Sequence, residues 1–582
     1  MGRGAGMVGK LVVLDLWICV ALVVVSCQER TDGPPPNQGA VAEWEALQIE
    51  ADSLLKAAQY DQGLVAANKA LQLAEQTHGP DHPGVARCLN TLARLHRAQA
   101  RFSQAEEIAR RALAIQEKVL GPEHPEVATS LNTLAELLGD LGQYAQMEPL
   151  LLRALAIQER ALGPEHLEVS ESLKNLASLA YVQGQFVQAE QYIERSLSIR
   201  EKSLGSEHPD VAESLNLAGF AAFAQGQYAK AAPLFKRALA IREKALGPEH
   251  PDVAESLTSL AMIHRTQGLY SAAEPLLLRA LAVFEKSLGK EHPRVASCLR
   301  GMASLYLDQN LYDRAEPLLL RGLAIREKAL GPEHPEVAAS LNGLAVLYDG
   351  RGQYGHAESL YKRALEISEK VLGPEHPGVA VSLGNLAVHY RVQSLYAQAE
   401  PLYMRALAID EKALGPEHPE VARILTSLAM CFLDQGQLFK AEPLLVRALT
   451  IAEKAFGPEH PKVARALSSL ALLYTSLGQY SVAEPLHQRA LAIREKAFGP
   501  ENFEVANSLH NLAAHYRDQG QYAQAEPLFQ RAAAVTEKAL GPDHPHVATC
   551  LDSLAGLYRK TGRDAEAEPL EKRAAAIRAI RR

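Results

Sequence analysis

Eleven histidines share one address in the chain: His82, His124, His166, His208, His250, His292, His334, His376, His418, His460 and His544. Imidazole is a common metal ligand, so a row of them is the first chemistry to weigh. A metal needs three or four convergent donors. Each copy of the surrounding pentapeptide, typically Gly-Pro-Glu-His-Pro, supplies one imidazole and no second ligand at metal spacing. A polar residue just before a helix-opening proline suits the cap of that helix instead. Asn502 stands in the twelfth copy. The histidines are therefore read as structural, and no metal is expected. Cys88, Cys298 and Cys550 occupy one repeat position where other copies carry Ser130, Ser172, Ser340 or Ala466, which describes a small packing residue. Six cysteines spread over 582 residues give no disulfide framework. The chain lacks a Gly-rich phosphate loop, Gly-x-Ser-x-Gly and His-Glu-x-x-His. Neither a cofactor nor an enzymatic activity is expected.

Binding chemistry is better placed. Two positions change from copy to copy while their neighbours stay fixed. One carries Asn90, Asn132, Asn216 and Asn342, among others. The position seven residues later carries Arg97, Tyr181, Phe223, Arg265, Arg391 and Arg517. A seven-residue spacing keeps both on one helix face. Asn both donates to and accepts from an extended peptide backbone, Arg forks onto carboxylates, and Tyr and Phe are apolar anchors. These ten residues are the expected lining of a groove for segments of partner proteins.

The elements that must position them follow from an internal period. The repeat glycine recurs at Gly79, Gly121, Gly163 and onward to Gly541, always 42 residues apart and without an insertion. All 32 prolines obey the pattern: ten follow that glycine, ten close the pentapeptide, nine sit in Ala-Glu-Pro-like runs and three form Pro34–Pro36. Within the unit, Val127, Leu131, Leu134 and Leu138 predict an amphipathic helix from Pro125. Gly-Gln-Tyr turns the chain, and Leu150, Leu151, Ala154, Leu155 and Ile157 predict a second helix. Pro149 lies five residues after Tyr144, so this helix is expected to start near Gln146 or to distort its first turn. Gly163 is expected in the left-handed conformation past the helix end. The run Ile-Arg-Glu-Lys (Ile325–Lys328, Ile493–Lys496) reads as a solvated charged face. A lone hairpin cannot bury its apolar face, but stacked neighbours can. The fold class is therefore all-α, a superhelical solenoid of about thirteen hairpins. Glu571 replaces an apolar packing residue in the last helix and reads as a polar end cap. With 47% hydrophobic residues and a net charge of −8, the chain has material for a core and no basic face for nucleic acid.

The markers Leu383, Leu386, Ala387, Tyr390, Tyr396, Ala399, Tyr403 and Ala406 resemble the tetratricopeptide repeat (TPR), and the 42-residue version resembles its kinesin-light-chain class. That resemblance implies a concave side lined by first helices and protein partners. Ala58, Ala100, Asn310 and Ser394 depart from the turn glycine, and Leu167 and Phe503 from the helix-start proline. Upstream, Arg3 and Lys10 precede an apolar run over 11–26, a signal-peptide pattern. Val24-Val25-Ser26-Cys27 resembles the bacterial lipobox, which implies lipid attachment at Cys27. The expected organisation is a signal peptide (1–26), a lipid-attachment Cys with a Pro-rich linker (27–40) and a TPR solenoid (41–582). The expected role is a non-catalytic scaffold tethered to the cell envelope, with the outer membrane favoured by Gln28. The alternatives are a secreted protein or a cytoplasmic adaptor.

Overall fold

The computed structural model describes residues 38–579. Cys27, the leader and most of the linker lie outside them. Twenty-six helices pair into thirteen antiparallel hairpins, from Gln38–Lys56 with Tyr60–His78 to Pro545–Lys560 with Asp564–Ala579. The first helix opens at Gln38, three residues ahead of the expected boundary. A representative unit has a 16-residue first helix, Pro125–Asp140, and a 19-residue second helix, Tyr144–Leu162. Val127, Leu131, Leu134, Leu138, Leu151, Ala154 and Ile157 are all buried, as their spacing requires. The second helix starts at Tyr144 and runs through Pro149 rather than starting near Gln146. Proline there removes one helical donor, and the first turn is held by Gln146 and Met147 N–H groups donating to the Gln143 carbonyl at 3.0 and 3.2 Å.

Two kinds of glycine punctuate the unit. The turn between the helices holds Gly142 at φ 68°, inside the left-handed helical region. Ala58, Ala100, Asn310 and Ser394 occupy the same turn at φ 54–62°, a conformation other residues reach at modest cost. The pentapeptide glycine differs. Gly163 has φ 92° and ψ 152°, and Gly205 φ 86° and ψ 153°. Positive φ with extended ψ is essentially closed to side chains. The positive φ meets the left-handed expectation while ψ is extended rather than helical, and this explains why the turn glycine is replaced four times and the pentapeptide glycine never.

Each hairpin packs on the next. The first helices of neighbouring units also touch each other directly, while the second helices do so at most marginally. The array therefore curls toward its first helices. After six units it meets itself. His376 Nε2 lies 3.0 Å from the Asp140 carbonyl, His418 Nε2 2.7 Å from that of Val182, and His460 Nε2 2.9 Å from that of Ala224, each across 236 residues. Asn310 and His544 Nε2, 2.8 Å apart, continue the series. Phe186 stacks on Phe456 and Tyr228 on Phe498 at 5.2 and 5.5 Å along the same line. Successive turns of the superhelix are thus sealed along a seam: the pentapeptides of one turn rest on the inter-helix turns of the one before.

Candidate interaction surface

The pentapeptide histidines do the structural work expected of them. The Glu126 N–H donates to His124 Nδ1 at 3.2 Å, and the Lys462 N–H to His460 Nδ1 at 3.0 Å. A nitrogen that accepts carries no proton, so the proton sits on Nε2, and in the seam that N–H donates to the carbonyl of the earlier turn. Burial holds the seam imidazoles below the usual range, His460 down to about 4, His376 and His418 in the same direction. Among the described residues no group of three or more potential ligands could hold a metal. Cys88, Cys298 and Cys550 are buried, and burial pushes the first two thiols up to about 12.

Two of the asparagines expected to line a groove bond across to the next unit. Asn90 Nδ2 donates to Ser130 Oγ at 2.8 Å, and Ser130 Oγ donates to Gln116 Oε1 at 2.7 Å. Asn132, Ser172 and Gln158 repeat the relay at 3.0 and 2.7 Å. The carboxamide oxygens of Asn90, Asn216 and Asn342 are buried and accept no hydrogen bond among the described residues.

Three of the expected groove arginines are engaged by the next unit. Arg97 reaches Glu136 at 2.6 Å and also Asp140, Arg265 reaches Asp308 at 3.1 Å, and Arg391 reaches Asp434 at 2.6 Å. The sequence signal was an Asp 43 residues after each arginine. Arg517 has Lys560 at that distance and turns to its own neighbour, Asp518, at 2.9 Å.

The aromatic anchors and one asparagine do come together in cavities. Tyr181, 43% exposed, and Phe223 line a cavity of about 490 Å3 at the seam, facing His418, His460, Lys462 and Arg465 from the following turn. Asn216 and Arg265 share a second cavity, of about 660 Å3, with Phe220, Thr258 and Arg300. Lys462 lies 4.5 Å above the Phe456 ring. It keeps contact with solvent, yet protein crowding on the inner side pulls its ammonium below the usual lysine range. Neither Lys462 nor Arg465 enters an ion pair with a described residue. Sequence reasoning missed both. Arg465 lies three residues before Ser468, at the edge of the face that carries it, whereas Lys462, six residues before, is turned about 120° away in the helix's first turn, where no spacing in the repeat marks it.

One expectation is overturned. The Arg of Ile-Arg-Glu-Lys is not on a solvated face. Arg326 is 2% and Arg494 6% exposed. Arg326 Nη1 donates to Ser340 Oγ at 2.8 Å, and Arg494 Nη1 to Ser508 Oγ at 2.5 Å and Ser468 Oγ at 3.0 Å. The guanidinium is long enough to pass beneath the next first helix and satisfy its small polar residues. Only the following Glu and Lys face water: Glu327 pairs with Arg363 at 2.6 Å, and Lys328 with Glu291 at 2.9 Å, as rungs of a ladder running along the second helices.

The family model for the tetratricopeptide repeat matches residues 46–496 in ten overlapping stretches and 504–579 in an eleventh. The chain belongs to the tetratricopeptide repeat family, whose members are protein–protein interaction scaffolds. It is similar to a solved structure of nearly identical TPR-like repeats from a protein described as a kinesin light chain of Podosopora anserina, with 31% identity, 35% of this chain, 98% of that chain and a TM-score of 0.31. It is also similar to BtubC (BKLC) from P. vanneervenii, with 22% identity, 40% of this chain, 90% of that chain and a TM-score of 0.32. A search of the curated proteins gives no match.

Proposed function

We propose that the chain is a non-catalytic scaffold that holds segments of partner proteins on the inner, first-helix side of its superhelix, tethered outside the cytoplasm through a lipid on Cys27. The observation that supports the groove is the seam cavity: Tyr181 and Phe223 offer apolar surface opposite Lys462 and Arg465, two cations in no ion pair with a described residue, while the cavity's Glu420 and Glu504 are paired with Arg423 and Arg494. A segment with an apolar side chain beside a carboxylate complements it, since desolvated charge pairs and aromatic anchors concentrate binding energy. Capture of partners from solubilised envelope tests this. Wild-type chain is expected to retain specific proteins that the Tyr181→Ser/Lys462→Glu/Arg465→Glu variant releases, with unchanged helicity. Equal retention by both would remove the groove reading. Incorporation of labelled palmitate that disappears in Cys27→Ala tests the tether separately.

A further inference from the structure

We infer that the chain associates with a second copy of itself, head to tail, by extending its own seam. The seam is an interface the molecule already makes, and superhelical geometry leaves half of it open at each end. Pentapeptides of the second turn rest on turns of the first, so among the described residues the first-turn pentapeptides and the second-turn inter-helix turns carry no such contact. Both rims keep the seam's cap histidines and turn glycines, while Leu162, Leu204 and Leu246 stand on the lower rim where Phe456 and Phe498 stack in the seam.

On the lower rim, His82, His124, His166, His208 and His250 each accept a backbone N–H at Nδ1, at 3.0–3.3 Å, as the seam histidines do. Their Nε2 atoms have no partner among the described residues. On the upper rim, the turn glycines are uncovered. A methyl built on Gly184 would lie 2.6 Å from Pro419, and one on Gly226 2.8 Å from Pro461, because a pentapeptide is seated there. At Gly436, Gly478 and Gly520 nothing comes within 4 Å. The unbroken 42-residue spacing gives the two rims one pitch. In the register that continues the superhelix, His166, His208 and His250 of a second copy face the carbonyls of Ser476, Asp518 and Lys560. These occupy the places that Val182 and Ala224 hold beneath His418 and His460. The last hairpin meets the newcomer with a polar end, Glu571 held by Arg559 at 2.7 Å, so the contact rests on the axial seam and not on a buried lateral face. An interface between two different rims does not close on itself and propagates as a rod. The inference is independent of the groove proposed above.

Sedimentation velocity of the full chain in density-matched detergent, over a hundredfold concentration range, tests it. The weight-average mass of the wild type is expected to at least double. The variant His166→Asp/His208→Asp/His250→Asp keeps a strong helix cap but turns carboxylates toward the opposing carbonyls. It is expected to stay at the mass of one chain with wild-type helicity and melting. Mixed with the wild type, the variant still offers a sound upper rim, so it is expected to enter the rods, stop their growth and lower the average mass. A flat wild-type mass, association that survives in the variant, or exclusion of the variant from wild-type assemblies would each overturn the inference. The last of these would mean that like rims pair.

Discussion

His208 and His460 occupy the same position in their units, cap the same kind of helix and differ only in which superhelical turn they belong to. His208 faces solvent beyond its cap. His460 is 5% exposed and donates to a carbonyl 236 residues away. One local motif therefore performs a single task in the first turn and two in the second. A repeat protein gains long-range contacts this way without specifying any new residue.

Substitution at the two positions breaks the comparison most strongly. His460→Ala loses the cap and the seam bond together, an expected ~3 kcal/mol, against ~1 kcal/mol for His208→Ala, read by urea or thermal unfolding. Equal losses would mean that the seam contributes nothing. Glycine gives a second contrast. In Gly184→Ala the new methyl meets Pro419 at 2.6 Å, so about 2–3 kcal/mol is expected from overpacking and strain. Gly478→Ala, with open space around it, should cost about 1 kcal/mol for the left-handed backbone alone.

Acid sharpens the contrast further. Folded His460 stays neutral down to about pH 4, whereas an unfolded imidazole takes its proton near 6.5. Between those values the unfolded chain binds more protons, so stability is unaffected above about 6.5 and falls as pH drops through the window. The loss should reach on the order of 3 kcal/mol for this residue by about pH 4 and should be absent in His460→Asn, which keeps a cap of the kind Asn502 forms at 2.8 Å. The smallest effect lies on the outer ladder. Arg237 and Glu201 are 2.7 Å apart and 44% and 33% exposed, so Arg237→Ala should cost only about 0.5 kcal/mol.

The hairpin is readable in the sequence because everything that builds it lies within 42 residues: apolar spacing, turn, cap and prolines. The seam is not, because closure after six units depends on a small rotation per unit that side-chain packing sets and periodicity leaves open. The charge pattern places Arg326 on the surface, where a guanidinium usually lies. Its burial depends on Ser340 in the next unit, which no helical pattern within one unit reveals. Arg97, Arg265 and Arg391 are expected to line the groove, and the same limit hides that each is already paired. Their partners sit one unit and one residue away. Variability between copies picks out Tyr181 and Phe223, yet the same two positions hold Asn90 and Arg97, which bond to the next unit, so variability alone does not separate a free surface from a packed one; Lys462 and Arg465 lie outside those two positions.

The seam also accounts for a negative property of the chain. Loops between helices ordinarily absorb extra residues freely, yet not one of the eleven intervals from Gly79 to Gly541 departs from 42. Each histidine must arrive above its carbonyl after a fixed rotation and rise per unit, so an insertion that altered the packing of one unit on the next would carry every later unit out of step. The superhelix acts as a gauge on its own length.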